Sequence, residues 1–233
     1  MTNGLRKVRY DHAGACQHLS ASDARLKKLI TQVGPFGLRV KPTHSTFEAL
    51  LEAIVYQQLH GNAAKAIHSR VLELFSNGIA TPKELTRLND KVLRSAGLSA
   101  SKLAAIRDLG EKSLTEIVPS LPALHRMPDD EVCARLTTVR GIGIWTAQML
   151  LIFRMGRPNI LPVADYGVRK GFALTIGRLR PGMPVTLADL PDAATMERRA
   201  LRWQPWRSVA SWYLWRACDL ARDVENKPSR TAP

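Results

Sequence analysis

Helix-start signals recur along this chain, and they restrict it to a fold built almost entirely from helices. Ser45–Glu48 reads Ser-Thr-Phe-Glu, a capping box in which a hydroxyl and a carboxylate satisfy amides at a helix start. Thr81 precedes Pro82, and proline fits the first position of a helix because it lacks the amide hydrogen. The segments with strand character, Leu38–Val40 and Ile160–Leu161, are too short to found a sheet. We therefore predict an all-α fold, with helices after residues 45, 81 and 101, over about 129–136 and 143–155, from near 165, and over about 206–221.

The charge balance points to a polyanionic partner. The 233 residues include 34 lysines and arginines against 20 aspartates and glutamates, which gives a formal net charge of +14. Such an excess favours nucleic acid first and an acidic membrane surface second. No apolar run approaches the ~20 residues of a membrane span, and we find no basic amphipathic helix with the long polar face that suits a membrane surface, so a membrane partner is not expected. The three cysteines are too few for a four-thiolate iron–sulfur cluster.

The segment 136–147, Leu-Thr-Thr-Val-Arg-Gly-Ile-Gly-Ile-Trp-Thr-Ala, carries the most information about function. Gly141 and Gly143 allow a tight turn between two helices and leave no Cβ in the way of an approaching partner. Because Gly143 opens a helix, the first amides of that helix have no intrahelical acceptor and form a site for phosphate. An ordinary turn between packed helices would also contain glycine, so the two glycines alone leave both interpretations open.

A carboxylate follows about 20 residues after this hairpin. Asp165 stands at a predicted helix start, in Leu-Pro-Val-Ala-Asp-Tyr-Gly-Val-Arg-Lys. Aspartate is a preferred N-cap residue, and most aspartates at such positions only cap the helix. A fixed carboxylate is also the group that would stabilise positive charge on a sugar while water displaces a base. The position alone does not decide between capping and catalysis.

Together these motifs make the chain similar to the helix-hairpin-helix DNA glycosylase superfamily. The resemblance spans roughly residues 40–222 and is specific at the hairpin, at Asp165 and at the tryptophan-rich segment 202–215. The pattern Asp-Tyr-x-x-Arg and the clustered tryptophans resemble the alkylation-repair branch. The resemblance implies a two-lobed helical domain over 41–223 with a cleft between the lobes, an N-terminal segment 1–40 packed on that core, and a flexible tail over 224–233.

In that family the hairpin grips a DNA phosphate through backbone amides and often holds a monovalent cation through backbone carbonyls. The resemblance places the phosphate-binding amides at Gly141, Gly143 and Thr146. It places the carbonyl ligands of a potassium or sodium ion at Thr137, Val139 and Ile142. The sequence neither requires nor excludes this ion, and the resemblance implies no other cofactor.

The resemblance assigns the catalytic role to Asp165 and makes the reaction a direct hydrolysis. Members that also cut the DNA backbone carry a lysine in the second hairpin helix, where its amine attacks the sugar. Trp145 occupies that position here and cannot act as an amine nucleophile. The resemblance therefore implies a monofunctional glycosylase that leaves an abasic site, without lyase activity.

A flipped alkylated purine carries positive charge, so aromatic rings suit its pocket. The resemblance assigns this pocket to Trp145 and Trp215, with Met149 one helical turn beyond Trp145. Helical phase supports the assignment of Trp215, because this residue points away from the apolar stripe of its helix. The predicted stripe comprises Trp206, Val209, Ala210, Tyr213, Ala217 and Leu220. Trp203 and Trp206 are expected to pack in the core.

Two further segments resemble DNA-contacting parts of the family. The loop after the helix that follows Ser45 is expected to supply the wedge that fills the gap left by the flipped base, and Gln58 and His60 are the candidates. A plain loop histidine remains an alternative interpretation of His60. Lys102, in the segment Gly-Leu-Ser-Ala-Ser-Lys, is expected near a DNA phosphate, although a solvated lysine would leave the same pattern.

The sequence therefore predicts a DNA repair glycosylase that flips and excises alkylated purines, such as 3-methyladenine, 7-methylguanine or ethenoadenine, from damaged double-stranded DNA. One alternative is a helix-hairpin-helix protein that binds DNA without catalysis. Another is a glycosylase for deaminated or otherwise damaged bases. We expect a monomer, located at the nucleoid in the cytoplasm of a bacterium or in the nucleus of a eukaryote.

Overall fold

The computed structural model describes residues 4–177 and 179–225, and the regular structure in these ranges is almost all helical, as predicted. Two short strands, β1 (Arg6–Lys7) and β2 (Arg39–Val40), form an antiparallel pair, whereas Ile160–Leu161 is not a strand. The described helices are α1 (His12–Ser22), α2 (Ala24–Val33), α3 (Thr46–Tyr56), α4 (Gly61–Leu72), α5 (Pro82–Leu85), α6 (Asp90–Ser95), α7 (Ala100–Leu114), α8 (Leu121–Arg126), α9 (Asp129–Leu136), α10 (Ile144–Phe153), α11 (Tyr166–Thr175), α12 (Ala193–Ala200) and α13 (Arg207–Glu225). Short 3-10 helices cover Ser76–Gly78, Leu187–Asp189 and Leu201–Trp203.

The chain divides into two compact units. The first unit is essentially the continuous segment Lys41–Met155 and contains α3–α10. The second unit combines Leu5–Val40 with the described residues from Gly156 onward, and so contains both strands, α1, α2 and α11–α13. Residues 5–40, which we expected as a separate segment packed on the core, are thus part of the second unit.

Side-chain caps define many of the helix starts. The Ser45 hydroxyl accepts a hydrogen bond from the Glu48 amide at 3.1 Å, which confirms the predicted cap of α3. The Glu48 carboxylate accepts from the His44 amide at 2.9 Å, one residue before the cap, so the reciprocal bond of the predicted capping box is displaced. Asp11 and Asp23 cap α1 and α2 in the same way, although neither helix was predicted from the sequence.

The core of the first unit lies around α3, which packs against α4, α7 and α10. Most positions of α3 carry apolar side chains, so the helix is buried over nearly its whole length. The central members of this core are Phe47, Leu50, Leu51, Ile54, Val55, Ile106 and Leu109. Because α10 packs on α3, the start of α10 and the loop after α3 belong to the same packed unit.

The second unit is organised around α13, which packs along α11 and also contacts α1 and α2. Gly171 allows the close approach of α11 to α13, since a Cβ at this position would lie 1.9 Å from the Leu214 carbonyl oxygen. The buried Asp23 carboxylate accepts from the Arg199 guanidinium at 2.7 and 2.8 Å and from the Trp203 indole at 3.0 Å. These bonds join residues 176 and 180 positions apart and so tie the N-terminal helices to the rest of the second unit.

The tryptophans predicted to pack do contribute to this core. Trp203 is fully buried, and Trp206 is half-buried against the same cluster. The predicted apolar stripe of α13 is buried at Val209, Ala210, Tyr213 and Ala217. Leu220, its last predicted member, is 36% exposed, and the buried face continues at Ala221 instead.

The C-terminal helix is longer than its sequence pattern indicated. α13 extends to Glu225, so residues 224 and 225, which we assigned to a flexible tail, are helical. The rest of that expected tail, 226–233, lies outside the described residues. In the described part of the chain, no helix combines the length and the apolar character needed to cross a bilayer.

Candidate active site and DNA-binding elements

A compact turn joins α9 to α10, with its aliphatic residues buried and its glycines exposed. Val139 and Ile142 are 2% and 3% exposed, and the Ile142 amide donates to the Val139 carbonyl at 3.0 Å. Gly141 has a φ of +77°, a conformation that would strain any residue with a Cβ. Gly143 follows as the N-cap of α10. The predicted helix-hairpin-helix geometry is therefore present.

Packing within the protein does not explain the glycine at position 143. A Cβ added to Gly143 would meet no atom within 4 Å, and the φ of −90° suits any residue. Because this N-cap has no side chain, it contributes none to cover the amides of the first turn of α10, where Thr146 lies. A helix N-terminus favours an anion, and a missing Cβ allows that anion a close approach. The geometry suits the phosphate site predicted at Gly141, Gly143 and Thr146.

α7 braces the hairpin through a charged pair that the sequence did not reveal. The Asp108 carboxylate accepts from the Arg140 amide at 2.7 Å and from the Lys112 ammonium at 2.8 Å. The same ammonium donates to the Thr138 carbonyl. Burial raises the pKa of Asp108, but hydrogen bonds from Lys112 and Arg140 outweigh it and hold that pKa below its ordinary value. The charged carboxylate and its partner therefore fix two points of the turn.

The carbonyls of Thr137, Val139 and Ile142 are the predicted ligands of a monovalent cation. Neutral carbonyl oxygens are ligands that alkali cations accept in place of water. The turn brings the Ile142 amide to the Val139 carbonyl. The carbonyl of Thr138, which lies between Thr137 and Val139 in the chain, accepts a hydrogen bond from Lys112. Among the described residues, no cluster of three or more histidine, cysteine or acidic side chains could hold a metal. The available donors fit an alkali cation better than a divalent metal.

The two wedge candidates lie where α3 gives way to α4, and they differ in conformation. Gln58 is exposed and has a φ of +55°, whereas His60 is the exposed N-cap of α4 with an ordinary φ of −71°. Gln57, which the sequence did not single out, donates from Nε2 to the Gly141 carbonyl at 2.8 Å. The loop after α3 is thus hydrogen-bonded to the hairpin.

Lys102 occupies a more structural position than its sequence suggested. Its side chain is half-buried, and its ammonium donates to the Val55 carbonyl at 2.6 Å, near the end of α3. Burial lowers the pKa of Lys102. The residue therefore ties α7 to the end of α3, and a phosphate contact at this position stays a prediction.

A cavity of about 520 Å³ lies within the first unit, between α3 and α10. Two of the predicted base-pocket residues, Trp145 and Met149, line this cavity together with Tyr56. Trp145 is 45% exposed although tryptophan is usually well buried, which fits a ring that stacks on a ligand. The volume falls in the range of small-molecule sites, roughly 300–1,000 Å³. The cavity can accommodate a flat aromatic base.

The charged groups at this cavity are paired with one another. The Glu52 carboxylate accepts from Lys41 at 2.5 Å and from Arg154 at 2.6 Å. Burial raises the pKa of Glu52, but the two cations outweigh it and hold that pKa below its ordinary value. Glu52 is therefore a structural carboxylate rather than a proton donor, and the cavity offers mainly apolar surface from aromatic, aliphatic and thioether side chains.

Asp165 is the N-cap of α11, and its carboxylate accepts hydrogen bonds from both α11 and α13. Oδ1 accepts from the Val168 amide and from the Trp215 indole Nε1, both at 2.8 Å. A Cβ on Gly167 would lie 2.8 Å from the Trp215 ring, so the glycine permits the indole to reach the carboxylate. The same carboxylate thus caps a helix and is oriented by an aromatic side chain.

The structure brings the predicted site residues together in two groups. Trp145 and Met149 share the cavity of the first unit, and Asp165 is bonded to Trp215 in the second. Residues that brace these elements were missed, because their partners are distant in sequence and no local pattern marks them. They are Gln57, Asp108 and Lys112, with partners 26 to 84 residues away.

Comparison with known proteins agrees with this geometry. A family model described as HhH-GPD superfamily base excision DNA repair protein matches residues 51–177. DNA-3-methyladenine glycosylase 1 of Schizosaccharomyces pombe is 32% identical over 210 residues, which cover 88% of this chain and 86% of the relative. The structure of a DNA-3-methyladenine glycosidase from Bacillus halodurans matches with a TM-score of 0.81 at 30% identity, covering 94% of this chain and 95% of the other. A structure of the S. pombe 3-methyladenine DNA glycosylase in complex with abasic DNA matches with a TM-score of 0.72 at 30% identity, covering 87% and 95%.

Proposed function

This chain belongs to the HhH-GPD superfamily of base excision DNA repair proteins, and on that premise we propose that it is a DNA glycosylase that hydrolyses the N-glycosidic bond of alkylated purines in duplex DNA. The observation that carries the proposal is the fixed carboxylate of Asp165, held at Oδ1 by the Val168 amide and the Trp215 indole. The relatives named above are 3-methyladenine glycosylases, and one of them was captured with abasic DNA.

The reaction follows from the charge on the sugar. As the bond between C1′ and the purine nitrogen breaks, its electron pair stays with the alkylated base, which leaves as a neutral molecule. Positive charge develops on the deoxyribose, and the oriented Asp165 carboxylate stabilises it. Water adds its oxygen to C1′, and the carboxylate accepts the proton that this water loses. The products are a free methylpurine and an abasic site.

Hydrolysis without strand cleavage follows from the residue at the nucleophile position. A lyase step needs an amine in the second helix of the hairpin to form a Schiff base. Trp145 stands there and instead lines the cavity with Met149, where both can cover the face of a flipped base. Trp215, the other aromatic residue assigned to base recognition, donates its indole N–H to Asp165. The protein is thus a monofunctional glycosylase.

Binding to duplex DNA combines a general and a local component. The net charge of +14 attracts the phosphate backbone in a salt-dependent manner. The amides of Gly141, Gly143 and Thr146 grip one phosphate near the lesion. Lys102 adds a second phosphate contact. The carbonyls at 137, 139 and 142 hold a potassium or sodium ion whose charge strengthens the hairpin as an anion site.

The substrates are N-alkylated purines, with 3-methyladenine and 7-methylguanine first and ethenoadenine next. A cationic purine has a weakened glycosidic bond, so a cavity that offers stacking surface without many polar contacts suffices for it. The protein acts as a monomer where the genome lies, at the nucleoid of a bacterium or in the nucleus of a eukaryote.

The decisive experiment compares base release from methylated duplex DNA by the wild type and by Asp165→Asn. We expect release by the variant to fall by about 100-fold or more, because both charge stabilisation and the proton acceptor are lost. Binding to a duplex with an abasic-site analogue should be retained. Asp192→Asn is the matched control, since Asp192 caps α12 through the Thr195 amide at 2.6 Å and has no assigned role in the chemistry.

The outcomes separate the candidate functions. Equal losses of base release in Asp165→Asn and Asp192→Asn would show that Asp165 only caps its helix. DNA binding by the wild type with no base released from any alkylated or deaminated substrate would favour a non-catalytic DNA-binding protein. Release of deaminated bases alone would move the substrate class to another kind of lesion.

A further inference from the structure

The turn after α3 has an unusual residue at its tightest point. Residues 56–59 form a β-turn, closed by a hydrogen bond from the Leu59 amide to the Tyr56 carbonyl at 3.4 Å. Gln57 has φ and ψ of −55° and 133°, and Gln58 has a φ of +55°, which are the values of a type II turn. The third position of this turn type favours glycine or asparagine. Gln58 therefore holds a conformation that its own backbone disfavours.

A hydrogen bond to the hairpin holds this turn in place. The Gln57 side chain donates from Nε2 to the Gly141 carbonyl at 2.8 Å, across 84 positions of sequence. A Cβ on Gly141 would lie 3.9 Å from Gln57 Oε1, so the amide group lies directly beside the exposed glycine. The acceptor belongs to the same turn whose amides make the proposed phosphate site.

The conformation distinguishes the two wedge candidates. His60 has an ordinary extended backbone as the N-cap of α4, and nothing in its conformation requires support. Gln58 is exposed, strained, and adjacent to the residue that is bonded to the hairpin. Backbone strain persists where the surrounding structure enforces it, and such positions concentrate at functional sites. The supported and strained residue is the better wedge.

We infer that Gln57 is a positioning residue, which couples the turn carrying Gln58 to the phosphate-binding hairpin so that both elements engage a lesion in a fixed relation. The inference rests on the proposed function, because it assigns the Gln58 side chain to the gap left by a flipped base. The inference adds that the hydrogen bond from Gln57 fixes the position of the Gln58 side chain relative to the phosphate-binding hairpin. Without the bond to Gly141, the turn relaxes and the wedge no longer meets the duplex where the hairpin holds it.

Two variants of Gln57 test the bond itself. Gln57→Glu keeps the size of the side chain but replaces the donor by a carboxylate facing the Gly141 carbonyl, and Gln57→Ala removes the group without adding charge. Each should weaken binding to a duplex with an abasic-site analogue by about fivefold to tenfold, as expected for one hydrogen bond. Binding to an intact duplex should change much less, so the ratio of the two affinities falls. Gln17→Glu, at an exposed position of α1 in the second unit, is the control for added charge.

A double-mutant cycle tests the coupling. In the wild-type background, Gln58→Ala should weaken binding to the abasic analogue by about tenfold. In the Gln57→Ala background the same change should weaken it by less than about twofold, because the Gln58 side chain is then already displaced from the gap in the duplex. Gln58→Gly should raise the urea midpoint, because glycine adopts the positive φ without strain, while it weakens the same binding. His60→Ala should leave the affinity ratio unchanged.

The result that would overturn the inference is equally specific. Additive effects of Gln57 and Gln58, or a lowered urea midpoint with an unchanged affinity ratio, would make Gln57 a purely structural residue. A fall in the ratio with His60→Ala but not with Gln58→Ala would move the wedge to His60. The cycle is read from binding, so a wild type that releases no base refutes the proposed function separately and leaves these measurements interpretable.

Discussion

Replacing Trp215 by phenylalanine isolates the contribution of one hydrogen bond to catalysis. The indole Nε1 donates to Asp165 Oδ1 at 2.8 Å, and phenylalanine retains an aromatic ring while it lacks the donor. The Val168 amide still holds the same oxygen at 2.8 Å, so the carboxylate keeps its bond to the first turn of α11. The variant therefore tests orientation of Asp165 rather than its presence.

The expected magnitude follows from the charge on the acceptor. A hydrogen bond to a charged group is worth about 1.5–3 kcal/mol. With 1.36 kcal/mol for each tenfold change in rate, the loss of this bond should lower kcat by about 10- to 150-fold. Binding to a duplex with an abasic-site analogue should change by no more than about fivefold, since an aromatic face is kept.

The assay is single-turnover release of methylpurine at saturating enzyme, with the urea midpoint measured for each variant. Trp212→Phe is the control, because Trp212 lies on the same helix and packs against Phe36 and Tyr213 rather than Asp165. An unchanged kcat in the Trp215 variant would show that the indole does not orient the carboxylate. Equal losses of kcat in both variants would assign the effect to packing of α13.

Two further predictions concern the stability of the second unit and the proposed ion. Asp23→Asn should lower the free energy of unfolding by about 3 kcal/mol, because the partly exposed Arg199 loses its buried counter-charge. Burial raises the pKa of Asp23, but hydrogen bonds from Arg199 and Trp203 outweigh it and hold that pKa below the ordinary 3.8. The stabilisation by the charged carboxylate is therefore complete above pH 3.8, and the advantage of the wild type over the variant in urea should shrink as the pH falls below that value. A difference that stays constant with pH would refute the charge-based explanation. Replacing potassium by tetramethylammonium at constant ionic strength should weaken binding to the abasic analogue if the carbonyls at 137, 139 and 142 hold a cation, and equal affinity in both salts would exclude that ion.

The sequence was most informative where a local rule determines the geometry. The glycines of the hairpin predicted the turn between α9 and α10. Glycine adopts a positive φ without strain, as Gly141 does, so the residue type alone marks the turn. Asp165 was predicted at a helix start for the same reason, since capping depends on residues three positions apart. Helical phase then separated Trp215 from the buried stripe of α13.

Other features depended on partners that no window of sequence contains. The Asp23 cap was a local signal that could have revealed α2, but its second role, pairing with Arg199, joins residues 176 positions apart. The bond from Gln57 to Gly141 likewise links two loops that meet only after α3 and α10 have packed. Such contacts belong to tertiary packing, and residue type gave no reason to prefer Gln57 over its neighbour.

The order of the two units along the chain has a consequence for synthesis. The first unit is continuous, so it can fold as soon as its last residue leaves the ribosome, whereas the second unit needs both ends of the chain. About 170 residues separate the end of α2 from the start of α13. At ~5–20 residues per second, α1 and α2 wait roughly 10 to 35 s for the helix that covers them. Until then, the surfaces of these two helices that α13 will cover stay open to chaperones and to misassembly.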